Sequence, residues 1–194
     1  MACTGDFMNI EDYKKIIRPL MGDKRYIHSV NVSAEAVRLA EKYGADPNKA
    51  AVAGVLHDIT KEFEEKKQLQ IMNSGDIILS DVEKASPKLW HAISGSLYIR
   101  TELGIEDIDI INAIRYHTTA RANMSLLEKI IFLADFTSAE RDFPDVSVIR
   151  EKADISLEEG MLYGIQFTLK KLLNIEGKLS VDAVNAYNEI LFNR

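Results

Sequence analysis

The residues able to do chemistry in this sequence are few. There are four histidines, His28, His57, His91 and His117, and each falls on a different segment. Two aspartates join them for a physical reason. Asp58 follows AAVAGVLH, a run with almost no polar face. At the carboxyl end of a helix its charge meets the negative end of the helix dipole, unfavourable by roughly 0.3–1 kcal/mol. Asp135 follows IIFLA, another apolar run. An unpaired buried carboxylate is costly, so such a group is paired, protonated or bound to a cation. The residues leave two solutions open: a metal ion held with the histidines, or pairing with a cation such as Arg25, Lys61 or Arg141. Imidazole and carboxylate without thiolate suit iron, manganese, cobalt, nickel or zinc, and magnesium less well. Six such groups exceed one tetrahedral site. They would suit two ions sharing a carboxylate, an arrangement used to hydrolyse phosphate esters and anhydrides.

Other chemistries are excluded by inspection. Glu-x-x-His is absent, which counts against ferritin-like di-iron bundles. His-Glu-x-x-His, Walker A, Gly-x-Gly-x-x-Gly and serine nucleophile elbows are absent as well.

The elements that must carry these residues read as helical almost throughout. Helices are expected over 9–21, over 24–43 with Gly44 as stop, and from an Asp46 cap with Pro47 in the first turn. Further helices are expected over 88–103 ending at Gly104, and over 106–117. Ser125–Glu128 and Ser156–Glu159 match capping boxes, the second opening a long helix closed by Gly177. A last helix starts at Ser180. Segments 73–87 and 139–147 read as loops, and Lys61–Gln70 as a charged surface segment. Period-two alternation is not sustained anywhere, so the fold class is all-α. The 194 residues form one domain without linker or repeat, a helical bundle with its core over about 20–140 and C-terminal helices over about 145–194.

Composition narrows the partners. The formal charge is −6, which argues against nucleic acid or an anionic membrane face as partner. A single cysteine, Cys3, excludes a disulfide framework and fits a reducing compartment. No apolar run is long enough to span a bilayer, and the first residues lack a signal-peptide pattern. A cytoplasmic protein, monomer or homodimer, is the expectation.

The ordered set His28 … His57-Asp58 … His91 … His117 … Asp135 resembles the HD-domain metal-dependent phosphohydrolase superfamily, so the bundle is expected to be an HD domain. The blocks KRYIHSVNVSAEAVRLAEKYG, AAVAGVLHDITKE and AIRYHTTARANMSLLEKIIFLADFTSAERDFPDV, with the stretch around Trp90-His91, resemble its YqeK-type branch, the symmetrical bis(5′-nucleosyl)-tetraphosphatases. The likeness covers roughly residues 10–190. At Ala120 and Asp145 this sequence departs from the glycines expected there.

The resemblance implies hydrolysis of diadenosine tetraphosphate to two ADP. The alternatives are another nucleotide substrate on the same fold (a nucleoside mono- or triphosphate, or a cyclic nucleotide), a nucleotide sensor without catalysis, or a di-iron oxygenase. It further implies one or two divalent ions, iron first, with manganese, cobalt or nickel as substitutes. His28, His57, Asp58 and Asp135 would hold one ion. His91 and His117 would face a second ion or a phosphate. Asp58, Lys61, His91 and His117 would be catalytic. Together with Thr118, Thr119 and Arg141 they would bind the nucleotide, Arg141 as phosphate clamp, with Arg121 a lesser candidate. Segment 177–182 would border the base.

Overall fold

The computed structural model describes residues 8–75 and 77–194; Cys3 lies outside them. Among the described residues there are eleven α-helices and no strand. They are α1 (Ile10–Ile17), α2 (Asp23–Tyr43), α3 (Pro47–Leu56), α4 (Glu65–Asn73), α5 (Asp81–Lys84), α6 (Pro87–Glu102), α7 (Ile108–Tyr116), α8 (Leu126–Thr137), α9 (Val146–Ile155), α10 (Leu157–Asn174) and α11 (Val181–Phe192). A 3-10 turn over Arg18–Leu20 follows α1, so the helix expected over 9–21 changes type at Pro19.

Local signals set most boundaries. Gly44 ends α2 at φ 78° and Gly104 follows α6 at φ 65°, conformations that cost glycine little. The Asp46 side chain accepts from the Asn48 and Lys49 amides and starts α3, with Pro47 in its first turn. At α8 the Ser125–Glu128 box forms in both directions. At α10 only half of the expected box forms. Ser156 accepts from the Glu159 amide, but the Glu159 carboxylate pairs with Arg194 and Lys152 instead. The segment read as a loop over 73–87 contains α5, capped by a Ser80–Glu83 box. The charged segment carries α4.

The core is built on α2, α3 and α8. Helix α3 buries Ala50, Val52, Ala53, Gly54, Val55 and Leu56. It packs along α2, which also meets α8; α7 bridges α3 and α8, and α6 packs on α7. Gly54 makes the α2–α3 approach feasible. A Cβ there would stand 2.7 Å from the Ser33 Cα. Phe132, Ile131, Ile130 and Leu133 carry the same core through α8. The five segments that carry the histidines and the two aspartates thereby converge: the second turn of α2, the end of α3, α6, the end of α7 and α8.

Candidate metal centre and adjoining pocket

His28 projects from α2, His57 caps α3 with Asp58 next to it, His91 lies in α6, His117 caps α7 and Asp135 lies near the end of α8. All four imidazoles and Asp58 are buried, while the Asp135 side chain keeps 19% exposure at the mouth. The expectation of two buried carboxylates therefore holds fully for Asp58 and only partly for Asp135.

The six side chains form one continuous cluster. His28 Nε2 lies 3.2 Å from His57 Nε2 and 3.0 Å from Asp135 Oδ1. Asp58 Oδ2 is 3.4 Å from His57 Nε2 and 3.7 Å from His28 Nε2. Its other oxygen, Oδ1, is 3.2 Å from His91 Nε2 and 3.7 Å from His117 Nε2. Those two nitrogens are 3.3 Å apart. Asp58 thus faces two groups of donors, one through each oxygen.

The hydrogen bonds decide which ring nitrogens face inward. His57 Nδ1 meets the Gly54 carbonyl at 2.7 Å, and His117 Nδ1 meets the Ile114 carbonyl at 2.8 Å. A carbonyl only accepts, so each Nδ1 carries hydrogen and each Nε2 is the ring nitrogen turned into the cluster. Asp58 Oδ1 is buried without a hydrogen-bond partner. Burial acts to raise the Asp58 carboxyl, but the surrounding imidazoles of His57, His117 and His91 hold it well below its usual range. Burial also drives the His91 imidazole well below its ordinary value, favouring its neutral form. Ligands about 2.1 Å from an octahedral ion lie about 3 Å from their neighbours, close to the shorter separations here. The donor set and its spacing fit a divalent cation.

The pairing alternative is realised at the rim. Arg25 Nη1 lies 2.5 Å from Asp58 Oδ2. Arg141 donates to the Asp135 carboxylate and, at 2.7 Å, to its main-chain carbonyl. Arg141, expected on phosphate, therefore sits on Asp135, where its side chain retains 35% exposure. Lys61 stands with Nζ 3.1 Å from both His91 ring nitrogens. Burial lowers its ammonium pKa, with the Asp58 carboxylate acting the other way. Arg121 is instead held by Glu128 at 2.6 and 2.9 Å.

Thr118 and Thr119 follow His117 directly and line a cavity of about 290 Å³. Its walls include Leu89, Phe132, Ile165 and Leu169, closed by Lys178 and Ser180 of the loop before α11. Thr119 Oγ1 is buried without a partner. The sequence reading placed the threonines and the 177–182 segment beside a nucleotide; the α6 entrance and the α8 and α10 walls went unrecognised. It also missed Glu140, whose carboxylate reaches His28 Nδ1.

The HD domain pattern matches residues 25–140, which contain all six candidate ligands. The chain belongs to the HD domain family. It is 37% identical over 187 residues to a symmetrical bis(5′-nucleosyl)-tetraphosphatase of Halalkalibacterium halodurans, covering 96% of this chain and 100% of that one. A Bacillus subtilis protein of the same description is 35% identical, covering 93% of this chain and 97% of its own. A crystal structure described as a predicted HD superfamily hydrolase involved in NAD metabolism, from Clostridium acetobutylicum, superimposes with a TM-score of 0.93 at 34% identity. That match covers 97% of this chain and 100% of the other. Within the HD family, this chain falls in the YqeK-type branch. No helix among the described residues is long and apolar enough to cross a membrane.

Proposed function

We infer that this protein hydrolyses diadenosine tetraphosphate and related bis(5′-nucleosyl) tetraphosphates symmetrically, releasing two nucleoside diphosphates. The observation that carries the reading is the convergence of all four histidines on Asp58, with Asp135 alongside and a nucleoside-sized pocket opening at Thr118 and Thr119. The near-full-length likeness to symmetrical tetraphosphatases supports the substrate.

His28, His57, Asp58 and Asp135 would hold one divalent ion, iron in first place with manganese, cobalt or nickel as substitutes. Such an ion acidifies water and polarises phosphoryl oxygens. His91 and His117 face the other Asp58 oxygen and would receive a phosphate or a second ion. Lys61 and Arg141 place cationic donors at the mouth, where charge develops on phosphoryl oxygens, and a guanidinium meets phosphate with two donors. Thr118 and Thr119 lead the chain from the centre to the pocket, whose apolar walls take one base. In the reaction the oxygen of water bonds to one of the two central phosphorus atoms. The bridging P–O bond breaks, its oxygen departs with the second diphosphate, and the released proton goes to solvent. No group of the protein forms a covalent bond to substrate. The single cysteine, which fits a reducing compartment, supports a cytoplasmic enzyme, as monomer or homodimer.

The test is a product assay. Protein loaded with Fe(II) or Mn(II) is given diadenosine tetraphosphate, and products are separated by anion exchange. ADP alone is expected. AMP with ATP would place attack at an outer phosphorus and overturn the symmetrical reading; absence of turnover with metal bound would overturn the substrate.

A further inference from the structure

Glu140 lies outside the ring of candidate ligands, on the loop between α8 and α9, yet its carboxylate is turned into the site. Oε1 is 2.5 Å from His28 Nδ1 and accepts from the Ser138 hydroxyl at 2.8 Å. Oε2 accepts from the Asn31 side-chain amide at 2.7 Å. Asn31 lies on α2, one turn beyond His28, so the carboxylate is held from the helix that carries the imidazole and from its own loop. The loop is itself fixed. Arg150 of α9 donates to the carbonyls of Thr137 at 3.0 Å, Ser138 at 2.8 Å and Arg141 at 3.2 Å.

His28 has a need that two other imidazoles of the centre meet differently. His57 and His117 sit at helix ends, where main-chain carbonyls lack helical partners and can accept from Nδ1. His28 lies inside α2, where the carbonyls are engaged by the helix itself. Only a side chain can hold its Nδ1. An ionised carboxylate accepts and cannot donate, so Nδ1 carries a hydrogen toward Glu140 and Nε2 is the ring nitrogen turned to Asp135 and His57.

We propose that Glu140 is a positioning residue for the metal centre, fixing the tautomer and ring orientation of His28 and thereby setting the cation affinity without touching ion or substrate. This rests on His28 being a ligand. Partners of this kind typically change metal affinity by about 10–100-fold when lost.

The experiment compares wild type with Glu140→Leu, Glu140→Gln and His28→Ala. Mn(II) affinity is read from the electron paramagnetic resonance signal of free ion. The His28 tautomer is read in metal-free protein from long-range 15N–1H correlations. Glu140→Leu is expected to weaken Mn(II) binding by about 10–100-fold and to release His28 from the Nδ1–H form. Glu140→Gln keeps an acceptor oxygen and loses the charge, so it is expected to retain the tautomer and most of the affinity. Wild-type affinity or an unchanged tautomer in Glu140→Leu would overturn the proposal. So would a Gln variant as impaired as the Leu variant. His28→Ala separates this failure from failure of the ligand assignment. If it loses Mn(II) while Glu140→Leu does not, only the role of Glu140 falls. If it binds Mn(II) like wild type, the assignment falls and the proposal with it.

Discussion

The metal centre and the adjoining pocket share the turn from His117 to Thr119, yet different forces build them. The centre is a knot of polar groups, nearly all of them buried. Gly54 and Ile114 carbonyls and the Glu140 carboxylate tether three of its imidazoles. The pocket is walled by ordinary core residues, Phe132, Ile165 and Leu169, which leave a gap that α11 and its preceding loop only partly close. Disturbing the centre should change chemistry and metal binding. Disturbing the pocket should change substrate affinity alone.

The largest effect is expected at Asp58, whose two oxygens face the two donor groups. Asp58→Ala should lower kcat for diadenosine tetraphosphate by roughly a thousandfold or more. Its far-UV circular dichroism should stay that of wild type, since the change removes a buried charge rather than core volume. Retained turnover in metal-free Asp58→Ala would break the assignment of the centre. Gly54→Ala tests the centre through its scaffold. The added Cβ would stand 2.7 Å from backbone of Ser33, which cannot give way as a side-chain tip would. Overpacking of this kind costs about 1–3 kcal/mol. The urea midpoint should fall, and Mn(II) affinity with it, because α2 and α3 carry three ligands between them. A wild-type midpoint would show that α2 can shift away freely.

The pocket calls for the opposite result. Ala183 is buried on α11 and lines the cavity. Ala183→Phe fills part of the space assigned to the base. KM should rise about tenfold, the scale of a change in pocket fit, with Mn(II) affinity unchanged. A matching loss of metal affinity would mean that centre and pocket are mechanically one unit, and the contrast between them would fail.

The two regions also differ in how far the sequence revealed them. His57-Asp58 and Asp135 stood out because a carboxylate at the end of an apolar run demands a partner wherever the chain goes. The same logic put Arg25 and Arg141 on the list of partners, and both meet these carboxylates. Glu140 gave no such signal. It lies in the charged run Glu140-Arg141-Asp142, and its partner His28 is 112 positions away. The pocket walls come from α6, α8 and α10, apolar residues whose spacing reads the same in a filled core as beside a cavity. Helix ends followed the local rule: Gly44, Gly104, Asp46-Pro47 and the Ser125 box were legible because capping uses neighbours. Helix α5 was hidden because four residues show no period.

Even at helix ends a one-residue slip occurs, beside the pocket. The residue expected to end α10 was Gly177, but the left-handed conformation falls on Glu176, at φ 53°. The hydrogen bonds are those of a Schellman end: the Glu176 amide donates to the Leu173 carbonyl at 3.2 Å and the Gly177 amide to the Leu172 carbonyl at 2.8 Å. Gly177 keeps its own reason to be glycine, since a Cβ there would approach Leu172 Cδ2 to 3.0 Å. Ala120 and Asp145, where the resemblance leads one to expect glycine, likewise stand at positive φ, 58° and 75°. At buried Ala120 a glycine would lose methyl packing as it gained conformational ease. Exposed Glu176 has no such packing to lose. A side chain in the left-handed region costs about 1–2 kcal/mol, partly offset by the extra freedom glycine has when unfolded. Glu176→Gly is therefore expected to stabilise the protein by about 1 kcal/mol, read as a higher urea midpoint at unchanged slope. Because the change lies in the cap and lines neither region, KM and Mn(II) affinity should both stay at wild-type values. A shift in KM alone would show that the α10–α11 turn shapes the pocket as well as closing the helix.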